Sequence, residues 1–569
     1  QVANMHQKTI RRIIRNIVDE FVSHAVGSVP LSILKRYGLM ELTNAVSEIH
    51  KPISELPTPN LVPADFKQGS ELSKDWLPRK SVVFDDLFSL ELGLALKKQG
   101  MGKETGIAFN TDSARLGRVE NFRRMLPFRL TAAQERVISE IKGDMSEPHP
   151  MNRLLQGDVG SGKTVVAFIS SLIAIENGYQ AAIMAPTEIL AEQHYLNIHK
   201  YAEKLGIKTV LLTSSLAKTE RNTALAGIKS NDISLAIGTH ALIQEDVEFS
   251  KLGLVIIDEQ HRFGVIQRAM LKNKGAMGNG QGAGKNLTPD VLVMTATPIP
   301  RTLSMTVFGD LDISIINELP PGRRPIKTKV FRERERAQVY KTIRGELEKG
   351  RQAYVVYPLI EESEELDLKD ATRMAEHLRK DIFPEYKTGL LHGRMKADEK
   401  EAVMKAFKDR ETDILVSTTV IEVGIDVSNA TCMVVEHAER FGLSQLHQLR
   451  GRVGRGEHDS HCVLLAANIG SIDTYKRLKV MEETNDGFRI AEEDLKIRGP
   501  GDFLGTRQSG LPDFRIADIM TDAAMLKKAR DEAFNLIRND PALEREEHSA
   551  LKEIVKARWK GRLELATVG

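Results

Sequence analysis

"LLQGDVGSGKT", residues 154–164, decides how the chain is read. An apolar run ends in a glycine-rich loop, and the loop closes on a lysine and a threonine that open a helical pattern. Glycines in that spacing let backbone N–H groups close around phosphate oxygens, and the helix N-terminus behind them adds a favourable dipole. Gly157, Asp158, Gly160, Ser161 and Gly162 form the loop. Lys163 is then the cation for the β- and γ-phosphates, and the Thr164 hydroxyl a ligand for Mg²⁺. A second stretch, "VIIDEQHRFG" (255–264), ends an apolar run in two acids. Asp258 suits Mg²⁺ binding, and Glu259 suits orienting or deprotonating an attacking water. The two stretches together imply hydrolysis of a nucleoside triphosphate, with ATP the expected fuel. "FRLTAAQ" (128–134) stands shortly before the loop. There Thr131 is a helix cap, Phe128 an aromatic placed to stack on a base, and Gln134 a side chain able to read an adenine edge.

Outward from this site the chain alternates short apolar runs with helical patterns: "QAAIMAP", "KTVLLT", "SLAIGTH", "LGLVIIDE", "VLVMTAT". That alternation implies a parallel sheet of βαβ units. It restarts after residue 320 with "QAYVVYPLI", "TGLLHG", "DILVSTT", "TCMVVEH" and "HCVLLA". The fold class is therefore α/β, with two successive parallel-sheet domains, expected over 126–318 and 319–484. Residues 1–125 read as a helical region. In it, "KTIRRIIRNIVDEFV" (8–22) sets Ile10, Ile13, Ile14, Ile17, Val18 and Phe21 on one helical face. The plain reading is a packing helix with a solvated basic side, and the alternative is a DNA-facing helix. Residues 82–99 read as a further helix, the proline-punctuated stretch 52–63 as a linker, and the glycine-rich 274–285 as a surface loop.

The 569 residues suffice for several domains, and 41% hydrophobic with 28% charged is an ordinary globular balance. Lys plus Arg number 80 against 78 acids, so any anion-binding surface must be local. Cys432 and Cys462 lack partners at metal-ligand spacing, which disfavours a zinc site and a disulfide framework and fits a reducing cytoplasm. No apolar run approaches the length of a membrane span.

The second α/β unit has no phosphate loop. It carries "LHGRM", "STTVIEVGIDV" and "QLHQLRGRVGRG". Arg452 and Arg455 are three apart, and share one face if that segment is helical. A planar guanidinium fits phosphate bidentately. Two arginines in a domain with no catalytic loop suggest fingers inserted across a cleft at the γ-phosphate, so that hydrolysis follows domain closure. In the first unit, the runs ending in "APTEILAEQH" and "GTHALI" place small and hydroxyl residues at one sheet edge, which suits phosphate-backbone contacts.

Taken in order, these motifs resemble those of superfamily 2 helicases, and more narrowly those of the RecG family. "DEQHRFG" (258–264), "TATPIPRTL" (295–303) and "NDGFRIAEEDLKIRGPGDFLGTRQSG" (485–510) carry the narrower match. The resemblance implies two tandem RecA-like parallel-sheet domains, a helical N-terminal region, and a C-terminal helical-hairpin or TRG region over 485–569. It implies an ATP-dependent double-stranded DNA translocase that remodels replication forks and Holliday junctions in recombination and repair. Under it, Gly424, Asp426 and Gln448 join the nucleotide set. Thr187, Thr239, His240, His261, His392, Arg394, Thr418, Arg498, Gly501 and Gln508 form a DNA and translocation set. The family suggests a single-stranded-DNA-binding protein as partner, action as a monomer without a membrane, and a place in the bacterial cytoplasm at the nucleoid. It also has an upstream wedge domain, for which 1–125 shows no strand-rich segment. The transcription–repair coupling factor shares the TRG region, but its acid box carries a glutamate where this chain has Gln260. A nucleotide-dependent DNA clamp without turnover is a further alternative, opposed by the intact Lys163, Asp258, Glu259 and arginine pair.

Overall fold

The structure is a computed structural model. It describes residues 7–50, 76–101, 105–259, 287–296, 300, 311–320, 324–358, 364–418, 427–498, 514–519 and 521–559. The proline-rich linker, the glycine-rich loop, and His261, Gly424, Asp426, Gly501 and Gln508 lie outside them. The chain forms two compact units, one of residues 104–300 with 311–498, the other of residues 1–103, 301–310 and 499–569.

The larger unit holds two parallel sheets. The first contains β1 (Asn152–Gly157), β2 (Gln180–Met184), β3 (Thr209–Leu212), β4 (Leu235–Gly238), β5 (Leu252–Ile257), β6 (Asp290–Thr295) and β7 (Asp312–Ile316), in the order β3-β4-β2-β5-β6-β1-β7. The second contains β8 (Lys327–Arg332), β9 (Gln352–Val356), β10 (Thr388–Leu391), β11 (Ile414–Ser417), β12 (Ala430–Val435) and β13 (His461–Ala466), in the order β10-β11-β9-β12-β13-β8. Numbered from its own first strand, the second sheet repeats the order of the first without its last strand. The central strands are Val-, Ile- and Leu-rich and buried along their length, as parallel strands covered on both faces by helices must be.

The likeness extends to single residues. Gly178 and Gly350, at φ +82° and +71°, each end a helical segment where a left-handed turn is needed. Two residues on, Gln180 and Gln352 open β2 and β9 fully buried. The Gln180 amide donates to the carbonyls of Ile228 and Ile233, both at 2.8 Å. The Gln352 amide donates to Phe407 at 2.5 Å and Thr412 at 2.7 Å. Each glutamine therefore ties the start of its strand to the end of the helix that leads into the neighbouring strand, β4 in one sheet and β11 in the other. The repeat is printed in the chain as "GYQAAIMAP" (178–186) and "GRQAYVVYP" (350–358).

Residues before the first strand also belong to this unit. Ile107, Phe109, Leu116, Val119 and Phe122 share the core of the first sheet, where Phe122 meets Phe168 edge-on at 4.8 Å. At the other end, Ile490 of helix Gly487–Arg498 joins the second sheet's core.

The smaller unit is helical. Helix Leu77–Met101 has residues 81–95 buried on every side, so it is the axis of this unit. Phe84, Leu87, Phe88 and Leu90 pack with Leu526, Ala529 and Ala533 of helix Ala523–Asn539. Its buried acids are matched by partners. Asp85 receives the Arg515 guanidinium at 2.8 Å and the Ser28 hydroxyl at 2.9 Å. Asp86 accepts the backbone N–H groups of Arg515 and Ile516 at 2.8 and 3.2 Å. Helix Gln7–Phe21 departs from expectation. Among the described residues, Ile10, Ile13, Ile14, Ile17 and Phe21 are exposed, and Val18 is the one member of the stripe that is buried. The periodicity was that of a helix, but the stripe is not packed into the unit's core.

Glu91 lies fully buried on the axial helix, with Arg530 at 3.3 Å and no hydrogen-bond partner for Oε1 among the described residues. Burial pushes its carboxyl up to about 8 against the pull of Arg530. A carboxyl raised in the folded state gives stability that is whole below its ordinary pKa and lost as pH climbs through the raised value. Glu91→Gln fixes the neutral form. Its melting temperature should match the parent's near pH 4 and exceed it by several degrees at pH 9, as read by thermal denaturation across pH.

Candidate active site

Strand β1 delivers the phosphate loop to the C-terminal edge of the first sheet, at the start of helix Lys163–Glu176. Gly160 and Gly162 take φ of +75° and +87°, which side chains with a Cβ resist. A Cβ on Gly157 would stand 2.5 Å from Ser161 Oγ, and one on Gly162 would stand 2.3 Å from Gln134 Nε2. The loop is thus shaped around positions that only glycine fills. The Ser161 hydroxyl is buried and has no hydrogen-bond partner among the described residues, which fits a loop built to meet a phosphate oxygen.

Lys163 is buried, and its ammonium donates to the Gly157 and Asp158 carbonyls at 2.8 and 3.0 Å. Burial pulls its pKa down, the carboxylates of Glu259, Asp258 and Asp158 oppose this, and Arg455 adds to the drop. Asp258 follows β5, as the sequence placed it. Burial alone would raise its carboxyl, but the His194 hydrogen bond and charge, with Lys163 and the Glu259 N–H, hold it below the usual range. His194 Nε2 stands 2.7 Å from Asp258 Oδ2. Glu259 is raised, first by burial and then by the Asp258 charge, against Lys163, Arg452 and the Ala296 N–H. It sits at φ +54°, a strained backbone for a glutamate that fixes where its carboxylate starts. Asp258 and Thr164, at the helix start, are the residues that would hold Mg²⁺; a buried, ionised carboxylate beside a phosphate loop suits that hard cation.

Arg452 and Arg455 belong to the second sheet's domain, yet their charges act on Glu259 and Lys163 of the first. They are not on a helix. Helix Leu443–Arg450 ends before them, and the chain turns through Gly451 and Gly454, the latter at φ +76°. A Cβ on Gly451 would meet Val159 of the phosphate loop at 2.9 Å, so glycine lets the Val159 side chain pack against this turn. Gln448 lies half-buried on that helix.

Gln134 serves differently from the adenine reading. Its Oε1 accepts the Thr131 N–H at 2.9 Å and its Nε2 donates to the Ser161 carbonyl at 2.9 Å. The amide closes a capping box and braces the phosphate loop, with one of its N–H groups and its oxygen engaged in doing so. Phe128 is 37% exposed and lines a cleft of about 680 Å³ with Arg123, Pro127 and Arg129.

The other set gathers at the same edge of both sheets, away from β1. Thr187 caps helix Glu188–Lys204 after β2. Thr239 follows β4 and donates its N–H to Leu212, and Thr418 follows β11 and donates to Leu391. The two threonines are structural counterparts, and both buried hydroxyls lack a hydrogen-bond partner among the described residues. His240 and Arg394 are exposed, and His392 is half-buried, its ring pushed down by burial and by Lys400. Arg498 ends helix Gly487–Arg498.

The second sheet's counterpart of the phosphate site is filled by its own side chains. Arg336 opens the helix after β8, as Lys163 does after β1. Glu436 follows β12 and donates its N–H to Val356, as Asp258 does to Met184 after β5. Arg336 grips Glu436 bidentately at 2.8 and 2.9 Å and Glu333 at 2.6 and 2.9 Å.

Two sheets of one topology, with a phosphate loop in the first and the arginine-bearing turn of the second packed against it at Gly451, define the two-lobed arrangement of superfamily 2 helicases. Residues 131–306 match the DEAD/DEAH box helicase family, 335–457 the helicase conserved C-terminal domain, and 484–569 the C-terminal part of domain 3 of the ATP-dependent DNA helicase RecG. The chain is 51% identical to a Synechocystis RecG, covering 91% of this chain and 58% of that one. It is 47% identical to the Streptococcus pneumoniae RecG, covering 92% and 73%. A solved structure of RecG bound to a three-way DNA junction aligns with a TM-score of 0.67 at 40% identity, over 92% of this chain and 65% of that one. This chain belongs to the RecG family of ATP-dependent DNA helicases. It spans under two thirds of the Synechocystis relative's length.

His194 was missed by sequence reasoning; the signal was its place two helical turns beyond Thr187, on the face toward β5. It orients the carboxylate that would hold the metal. His194→Ala should raise the Mg²⁺ concentration for half-maximal ATP turnover by roughly 10- to 100-fold, in a metal titration of the ATPase rate.

Proposed function

We propose that this chain is the motor of an ATP-driven double-stranded DNA translocase that remodels branched DNA, reversing stalled forks and migrating Holliday junctions in recombination and repair. The observation that carries the reading is the packing of the Gly451 turn, which leads straight into Arg452 and Arg455, against Val159 of the phosphate loop. Lys163 holds the β- and γ-phosphates of ATP, and the two arginines stabilise charge on the transferring phosphoryl group. Glu259 orients the attacking water, its raised pKa bringing it nearer the range of an effective base. Mg²⁺ held by Thr164 and Asp258 supplies positive charge at the phosphates. Phe128, on its exposed cleft, stacks on the adenine.

Thr187, Thr239 and His240 in one lobe, with His392, Arg394 and Thr418 in the other, track the phosphate backbone. The counterpart threonines support this: equivalent hydroxyls on two lobes grip the same repeating polymer at two points, and relative motion of the lobes moves it. Arg498, Gly501 and Gln508 pass that motion to the duplex, and His261 links the ATP and DNA sites. Both lobes lie in one chain, so a monomer suffices. The reading includes action at the nucleoid and recruitment by a single-stranded-DNA-binding protein.

ATP hydrolysis measured with no DNA, linear duplex and a three-way junction tests the reading. Junction DNA should stimulate turnover most. Glu259→Gln should keep nucleotide binding and lose roughly 10²- to 10⁴-fold in turnover. ATPase activity indifferent to every DNA would overturn the proposal.

A further inference from the structure

The acid of the phosphate loop is held by the other lobe. Asp158 Oδ1 lies 2.6 Å from His447 Nε2, and its Oδ2 accepts the Gly487 N–H at 3.3 Å. The loop's own Val159 N–H completes the shell at 2.6 Å. His447 stands on helix Leu443–Arg450, and Gly487 opens helix Gly487–Arg498. Behind the imidazole, Arg450 donates to His447 Nδ1 at 2.9 Å. A guanidinium has only donors, so Nδ1 accepts and the ring proton sits on Nε2, aimed at Asp158. Arg450 is 1% exposed and anchored by the carbonyls of Met481 and Thr484 at 2.9 and 2.8 Å. The donor is therefore locked in tautomer and position by the second lobe's core.

We propose that His447 is a positioning residue that couples the two lobes: it grips the phosphate loop through Asp158 only when Arg452 and Arg455 stand at the nucleotide. The backbone carbonyl of the same Asp158 holds the Lys163 ammonium, so a shift of helix Leu443–Arg450 reaches the phosphate-binding lysine through one residue. The same carboxylate meets the start of helix Gly487–Arg498, which runs in sequence into "RGPGDFLGTRQSG". The contact thus joins the fuel loop to the helix that leads into the two arginines and to the helix that precedes, in sequence, the segment assigned to translocation. His447 touches no phosphate in this arrangement. The inference rests on Lys163 and Glu259 marking the hydrolysis site.

The test is a double-mutant cycle in the full chain with junction DNA, using His447→Ala, Asp158→Ala and both together, with His447→Gln as the rescue. Turnover, KM for ATP and equilibrium binding of a fluorescent ATP analogue are read for each. His447→Ala should lower DNA-stimulated kcat roughly 3- to 30-fold while analogue affinity changes less. His447→Gln, which retains an N–H at similar reach, should recover much of the loss. The double variant should be no slower than the slower single variant, because both remove one contact. Multiplying effects, an equal loss in His447→Gln and His447→Ala, or full turnover in His447→Ala would each overturn the proposal. Should His447→Ala fail to fold, the cycle is run with His447→Phe, which keeps the ring's bulk without an N–H, and Asp158→Asn, and judged by the same non-additivity. Lys163→Ala separates the two readings. Turnover surviving in it overturns the site assignment, whereas loss there with a normal His447→Ala overturns the coupling alone.

Discussion

The molecule is organised around one buried ammonium group, that of Lys163. A charge taken out of water is unfavourable unless paired and hydrogen-bonded at once. Lys163 meets both demands through loop carbonyls and the carboxylates of Asp158, Asp258 and Glu259. Those groups come from the ends of β1 and β5, separated by β6 in the sheet. A parallel sheet is the device that brings chain segments a hundred residues apart to one edge at fixed spacing. Moving either strand by one residue would turn its acid or loop to the other face.

The second sheet is built to the same plan and does something else with it. Its equivalent cation, Arg336, is saturated by Glu436 and Glu333, while its helix Leu443–Arg450 offers His447 and the arginines beyond to its neighbour. One architecture therefore serves as a reactive cradle and as the lid that completes it. The difference lies in a few side chains at strand ends, and the Gln180 and Gln352 ties that shape both scaffolds are alike.

Much of this was readable from the residues. The eleven apolar runs taken as strands sit at β1 to β6 and β9 to β13, because a short, continuous apolar run between helical patterns is what a strand buried on both faces requires. Strands β7 and β8 were not seen. Both are edge strands, and "KTKVFR" alternates exposed and partly buried residues, so their signal is a ladder of backbone hydrogen bonds rather than composition. The loop, the two acids and the two arginines were named from the residues, and the structure sets the loop and the acids at one edge of the first sheet. What escaped was the chemistry one layer behind them: His194 behind Asp258, His447 behind Asp158, and the brace made by Gln134. Each is a side chain whose partner is distant in sequence or is a backbone carbonyl. Arg452 and Arg455 were placed by a helical argument that fails at Gly451, where packing against Val159 outweighs helix continuation.

The Arg336–Glu436 pair has a further effect. Arg336 is committed to two carboxylates, so the position that corresponds to Lys163 has its charge neutralised from within. Duplicated scaffolds have thus parted ways at a handful of strand-end side chains, one keeping its cation for an incoming anion and the other spending it on its own acids.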